Sequence, residues 1–136
     1  MPSERLERVC LVKSASHFEV LDLPNRTDIR GSLTILDGLL PFDIVRIFWI
    51  SDADNQVRGG HRHRTTRQAL VALAGRVTVF MDDGTVKESI ELDKPTKCLI
   101  VEPKDWHTMT FGDGAILVVM ASREYDASDY IDARYE

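Results

Sequence analysis

The sequence is short of three things, and each shortage removes a class of protein. Cysteine is the first. Only Cys10 and Cys98 occur, far apart, with no CxxC pair and no disulfide framework, so the expected compartment is a reducing one, the cytoplasm. Cys98 lies in the apolar run Cys98-Leu99-Ile100-Val101 and is expected to be a buried small hydrophobe. Long apolar runs are the second shortage. None approaches the roughly 20 residues that a spanning helix needs, and the opening MPSERLERV is charged with no apolar signal core, so no membrane association is expected. Positive charge is the third. Seventeen Lys and Arg stand against 22 Asp and Glu, a net charge of -5. A general nucleic-acid binder needs a basic face to displace counterions, and none is expected here.

What is present is β-structure. With 136 residues, 43% hydrophobic and 29% charged, the chain suits one soluble domain spanning 1–136 with a core of its own. Short β-rich runs alternate with turn signals, and no long stretch has helical periodicity. Strands are expected at 9–13, 17–21, 32–36 and 43–51, then in two runs within 69–80 separated by Ala74-Gly75. Further strands are expected at 86–92, 97–101, 108–111 and 115–121. Residues 52–60 are polar and glycine-containing and read as a loop. Asp82-Asp83-Gly84 is a hairpin signal, read as structural. Residues 126–134 suit one short helix with Asp126 as N-cap. About ten strands at this spacing predict an all-β sandwich or barrel with a short C-terminal helix.

The chemistry concentrates in Gly59-Gly60-His61-Arg62-His63-Arg64. On a strand, His61 and His63 share one face and Arg62 and Arg64 the other. His107 follows the proline turn 103–106 and opens another strand, from which it can reach the same pocket. Arg58, Arg62, Arg64 and Arg67 form a local basic patch that suits a small anionic ligand or, more plainly, a solvated cluster. His17 has no motif around it and reads as a strand residue.

The pair His61 and His63, followed by Gln68 and Gly75, resembles the first cupin motif, and His107 after Pro103 resembles the second. This implies a small cupin-type β-barrel, or jelly roll. Gln68 stands where cupins carry a metal-binding glutamate, and an amide oxygen is a weaker ligand than a carboxylate. The histidines therefore read in two ways: as metal ligands, or as metal-free acid/base groups. The resemblance goes further over about residues 9–131. Asp28-Ile29-Arg30-Gly31, Leu40-Pro41-Phe42-Asp43-Ile44, Arg46-Ile47-Phe48-Trp49-Ile50, Trp106-His107 and Tyr125-Asp126…Asp129-Tyr130-Ile131 look like the sugar 3,4-ketoisomerases that act on dTDP-4-keto-6-deoxyglucose.

That resemblance implies a homodimer without cofactor or metal, acting on a dTDP-linked keto-deoxysugar for surface glycans or antibiotics. His63 is the expected principal base, with His61 and His107 orienting the sugar or relaying the proton. Arg30, Trp49, Arg58, Gln68 and Trp106 are the expected substrate-binding residues. Some relatives carry a tyrosine pair where this chain has Phe48-Trp49, and neither of these has a hydroxyl. Three other readings compete. They are a metal-dependent cupin dioxygenase, a 3,5-epimerase, which a pocket tyrosine at Tyr125 or Tyr130 would favour, and a sugar-binding module without catalysis.

Overall fold

The computed structural model describes residues 16–136; the strand expected at 9–13 and Cys10 lie outside them. Among the described residues two five-stranded sheets face each other. One runs β1 (Val20–Asp22), β9 (Lys97–Val101), β6 (Gln68–Ala74), β11 (Ile116–Ala121), β4 (Arg46–Ile50). The other runs β12 (Tyr130–Ile131), β5 (Val57–His63), β10 (Trp106–Phe111), β7 (Val77–Asp82), β8 (Lys87–Leu92). All pairings within them are antiparallel. A separate hairpin, β2 (Asn25–Asp28) and β3 (Gly31–Thr34), turns through Ile29 and Arg30. The expected jelly roll is present, with its two sheets packed face to face and not hydrogen-bonded into a closed barrel.

Alternation builds the core. Leu70 and Ala72, Val77, Val79 and Met81, Leu99 and Val101, and Leu117 and Val119 all point between the sheets. Their neighbours Ala69, Val71, Cys98, Ile100 and Met120 face outward. There Leu21, Leu23 and Leu39 cover them as a second apolar cluster, and Cys98 is a buried free thiol as expected. Each large side chain so buried is worth roughly 1.5–3 kcal/mol relative to exposure. No helix among the described residues is long and apolar enough to cross a membrane.

Three local expectations are corrected. Residues 52–60 are not all loop, since β5 already begins at Val57. The C-terminal helix shrinks to a 3₁₀ turn, Ala127–Asp129. Asp126 does cap it, accepting from the Ser128 N–H, but the chain then leaves to pair as β12 beside His63 and Arg62. His17 precedes β1, which starts at Val20, and binds Asp83 at 2.9 Å. The Asp82-Asp83-Gly84 turn is structural, its carboxylates accepting from the N–H groups of Gly84, Thr85 and Val86.

A bulge in β5 sets the site. Met109 opposes Arg58 and His107 opposes His61, with the register slipping between them. Three residues apart, Arg58 and His61 would lie on opposite faces of a regular strand; the extra residue puts both inward. Gly59 and Gly60 hold this bulge at φ +88° and +83°. A Cβ on Gly59 would stand 2.9 Å from the His107 carbonyl oxygen, whereas one on Gly60 meets open space. Gly60→Ala is expected to cost about 1–2 kcal/mol from left-handed strain. Gly59→Ala is expected to cost more, because overlap with backbone adds to the same strain. Equal losses in urea unfolding would contradict this account of the bulge.

Candidate active site

His61, His63 and His107 meet between β5 and β10. His61 stands 5.1 Å from His63 and 5.2 Å from His107, ring centre to ring centre, and His63 to His107 is 6.1 Å. The strand reading of the pair holds, since both share the inward face. His107 is 1% exposed and His63 is 3% exposed.

Burial sets their chemistry. Desolvation penalises the imidazolium. It pushes the pKa of His107 down to about 4, against the hydrogen bond to Asp105, with the two neighbouring imidazoles adding to the fall. It pushes His63 down to about 4 as well, helped by His61 and by the Arg46 charge and opposed by Asp129. Burial also lowers His61, against Asp132 and a hydrogen bond to the Gly59 backbone. The cluster is therefore neutral at pH 7.

A hydrogen bond orients one of the three rings. His107 Nδ1 lies 3.0 Å from the Asp105 carbonyl, so Nδ1 carries the proton and Nε2 keeps a lone pair. His63 differs, because neither of its buried ring nitrogens has a partner among the described residues. Asp105, which shapes the turn before His107, accepts from the Glu102 N–H, and burial raises its pKa to about 6.

The cavity beside these rings measures about 360 Å³. His61, His107, Gln68, Arg58 and Trp49 border it as the sequence suggested. Trp49 is nevertheless 67% exposed, and by strand alternation Phe48 takes the inward position. His63 lies behind His61 and Tyr130 and does not line the cavity. Gln68 is 5% exposed and brings an amide where a carboxylate would complete a metal site. Among the described residues no three His, Cys, Asp or Glu side chains stand ready to hold a metal.

Two expected residues go elsewhere. Trp106 alternates with His107 and faces the other side of β10. There its indole donates to the Asp132 carbonyl at 3.0 Å and lies under Arg134, so it anchors the C-terminal tail and lines no part of the cavity. Arg30 sits at the tip of the β2–β3 hairpin, exposed and paired with Asp28, also away from this cavity. The basic patch separates as well. Arg62 donates to the Tyr135 hydroxyl, Arg64 to the Ser128 carbonyl, and Arg67 to Glu102 and the Pro41 carbonyl. Only Arg58 of the four reaches the cavity.

Two further cavity residues lie in segments that carry the resemblance but outside the expected isomerase site residues. Arg46 stacks on Phe48 at 4.4 Å and on Tyr125 at 5.4 Å. Its signal is parity, since it shares the inward face of β4 with Phe48 and Ile50. Neither Arg46 nor Arg58 pairs with a carboxylate among the described residues. Tyr130 lies edge-on to His61 at 4.7 Å and to His63 at 4.8 Å. Asp129 fastens it there by accepting from the Thr65 N–H at 2.9 Å and from the Thr65 and Thr66 hydroxyls. No local sequence signal marks a strand of two residues.

Comparison with known proteins gives the chain's family and fold. The family named FdtA, with the description WxcM-like, C-terminal, matches residues 16–136. TDP-4-oxo-6-deoxy-alpha-D-glucose-3,4-oxoisomerase of Aneurinibacillus thermoaerophilus is 38% identical over 117 residues, covering 83% of this chain and 84% of that protein. The TDP-quinovose 3,4-ketoisomerase of Campylobacter jejuni superposes with a TM-score of 0.81 at 36% identity, covering 87% of this chain and 94% of that one. The dTDP-6-deoxy-D-glucose-3,5-epimerase of Legionella pneumophila shares the fold alone, with a TM-score of 0.77 at 13% identity over 91% of this chain and 77% of that one. With most of its length matched, the chain belongs to the FdtA, WxcM-like C-terminal family.

Proposed function

We propose that this protein is a nucleotide-sugar 3,4-ketoisomerase that moves the ketone of TDP-4-keto-6-deoxyglucose from C4 to C3. The observation that carries this reading is the cluster of three uncharged imidazoles, His61 and His107 lining one cavity and His63 packed directly behind His61, with two unpaired arginines, Arg46 and Arg58, on the cavity wall. The reaction needs a base for the C3 proton, an enediol(ate) intermediate and return of the proton to C4. A neutral imidazole does both. His63, with both ring nitrogens unpartnered, is the proposed base. His61 and His107 offer lone pairs that hold the sugar hydroxyls. Arg46 and Arg58 suit the diphosphate or the developing oxyanion. Gln68 is a neutral hydrogen-bonding group, and no metal or other cofactor takes part. Trp49 borders the sugar or base at the cavity rim, while Trp106 serves the fold.

The same reading includes a homodimer in the cytoplasm. Between the hairpin and the sheet lies an apolar groove of about 540 Å³ lined by Leu23, Leu36, Val71, Leu73 and Met120 among others. Ile47, Trp49 and Leu33 are exposed on this side of the molecule, and Ile29 is fully exposed at the hairpin tip. Apolar surface of this kind marks an interface, and a second copy is the proposed occupant. The hairpin that carries Arg30 projects from its own chain, so we assign Arg30 to the cavity of the second copy.

One observation bears on the epimerase reading, namely that Tyr130 borders the cavity. An epimerase inverts a carbon, so its acid must face the base across the sugar ring. Tyr130 stands beside His61 and His63 on one side, which suits an isomerase.

His63→Ala and Arg30→Ala are each expected to abolish turnover without loss of fold. Reassembling equal amounts of the two should restore about a quarter of the wild-type rate. About half of the dimers are then mixed, and each has one intact cavity. No recovery, or a monomer in solution, would contradict the shared site. Full activity of His63→Ala would move the base to His61 or His107.

The pH profile follows from burial. Because the imidazole pKa values are depressed, the protonated, inactive form accumulates only at low pH. kcat/KM is expected to stay level as pH falls from 7 through 6 and to drop toward about 4. An acid limb at or above 6.5 would show that the histidines are not desolvated as described.

A further inference from the structure

We infer that Tyr130 is a catalytic residue of this site, the group that moves a proton between the two sugar oxygens. This rests on the ketoisomerase reading above. Moving a ketone from C4 to C3 transfers a hydrogen between carbons and a second between oxygens, because O4 ends protonated and O3 ends bare. The histidine base accounts for the first transfer. The second needs a group that both gives and takes a proton on oxygen.

The groups around the cavity can be tested against that need one by one. His107 gives its ring N–H to the Asp105 carbonyl, so it offers the sugar a lone pair only, and the His61 ring stands edge-on against both His63 and Tyr130. Arg46 and Arg58 donate hydrogen bonds but do not release protons. The Gln68 amide likewise does not ionise. Of the residues lining the cavity, Tyr130 alone carries a hydroxyl. That hydroxyl has no hydrogen-bond partner among the described residues. The rest of the residue is fixed, however: β12 pairs it with His63, Asp129 is clamped by Thr65 and Thr66, and the Arg64 N–H binds the Asp129 carbonyl at 2.8 Å. A ring held on both sides with its hydroxyl left free is suited to a substrate oxygen.

The step balances. His63 takes the C3 proton, the C3–H pair becomes the C3=C4 bond, and the C4=O π pair moves to O4, which takes the Tyr130 proton. The enediol then reverses with the other polarity. Tyr130 recovers a proton from O3 as C3=O forms, and His63 returns its proton to C4. No oxidant, reductant or co-reactant is consumed.

The test is Tyr130→Phe, followed by proton NMR on TDP-4-keto-6-deoxyglucose beside wild-type protein, with TDP affinity and thermal unfolding measured on both. The proposal expects kcat to fall by about 10²–10⁴-fold, the usual size of a general acid–base contribution, with TDP affinity and unfolding temperature unchanged. Wild-type-like kcat in Tyr130→Phe overturns the proposal while leaving the isomerase reading in place; wild-type protein that converts no substrate sinks that reading and the proposal with it. If Tyr130→Phe does not fold, a fluorotyrosine at position 130 keeps the ring and makes the phenol more acidic. The alkaline limb of the kcat profile should then move to lower pH, and a limb that does not move overturns the proposal.

Discussion

Everything in this site depends on keeping three imidazoles uncharged in one place. Water would let them protonate near neutrality and lose their basicity. The protein prevents this by placing them between two sheets, where desolvation holds His63 and His107 at about 4. The penalty is cooperative, because each imidazolium would also repel its neighbours 5.1 to 6.1 Å away. A buried neutral imidazole must still place its N–H, and the carbonyl of Asp105 accepts that of His107. That acceptor leaves the Nε2 lone pair at a fixed position, which is the preorganisation that proton transfer uses.

The scaffold makes that arrangement through a local irregularity. An unbroken β5 would turn Arg58 away from the histidines; the bulge at Gly59 and Gly60 brings cation and base to one face. The same glycines let β10 approach so closely that a Cβ at Gly59 would overlap the His107 carbonyl. The C-terminal segment closes the other side. Asp129 is 7% exposed and is held by Thr65 and Thr66, so the tail is pinned to the loop after His63 and carries Tyr130 with it. Fold and site are coupled there, and Trp106 and Arg134 extend the same clasp over the outer face.

Much of this was legible from residue order, because β-structure writes alternation into sequence. The spacing of His61 and His63 places both on one face, and the turns at Asp82-Asp83-Gly84 and before His107 separate real strands. Register is harder, since it arises from pairing between distant segments. Residues 52–60 look like a loop because their glycines resemble turn glycines, yet Gly59 and Gly60 serve a strand bulge. Arg30 lies in a recognisable segment, but exposure of a hairpin is a tertiary outcome that no local pattern states. Trp106 sits next to a site histidine in sequence and points away from it in space. Tyr130 belongs to a two-residue strand whose only cause is long-range pairing with β5.

The most direct measurement is proton NMR of the purified protein with TDP-4-keto-6-deoxyglucose in deuterated water. The account predicts a 3-keto isomer, with deuterium entering at C3 and C4 to the extent that the proton held by His63 exchanges with solvent before its return, and none at C5. Folded protein that gives no conversion and no exchange at C3 would contradict it, and exchange confined to C3 and C5 without ketone migration would make the chain an epimerase.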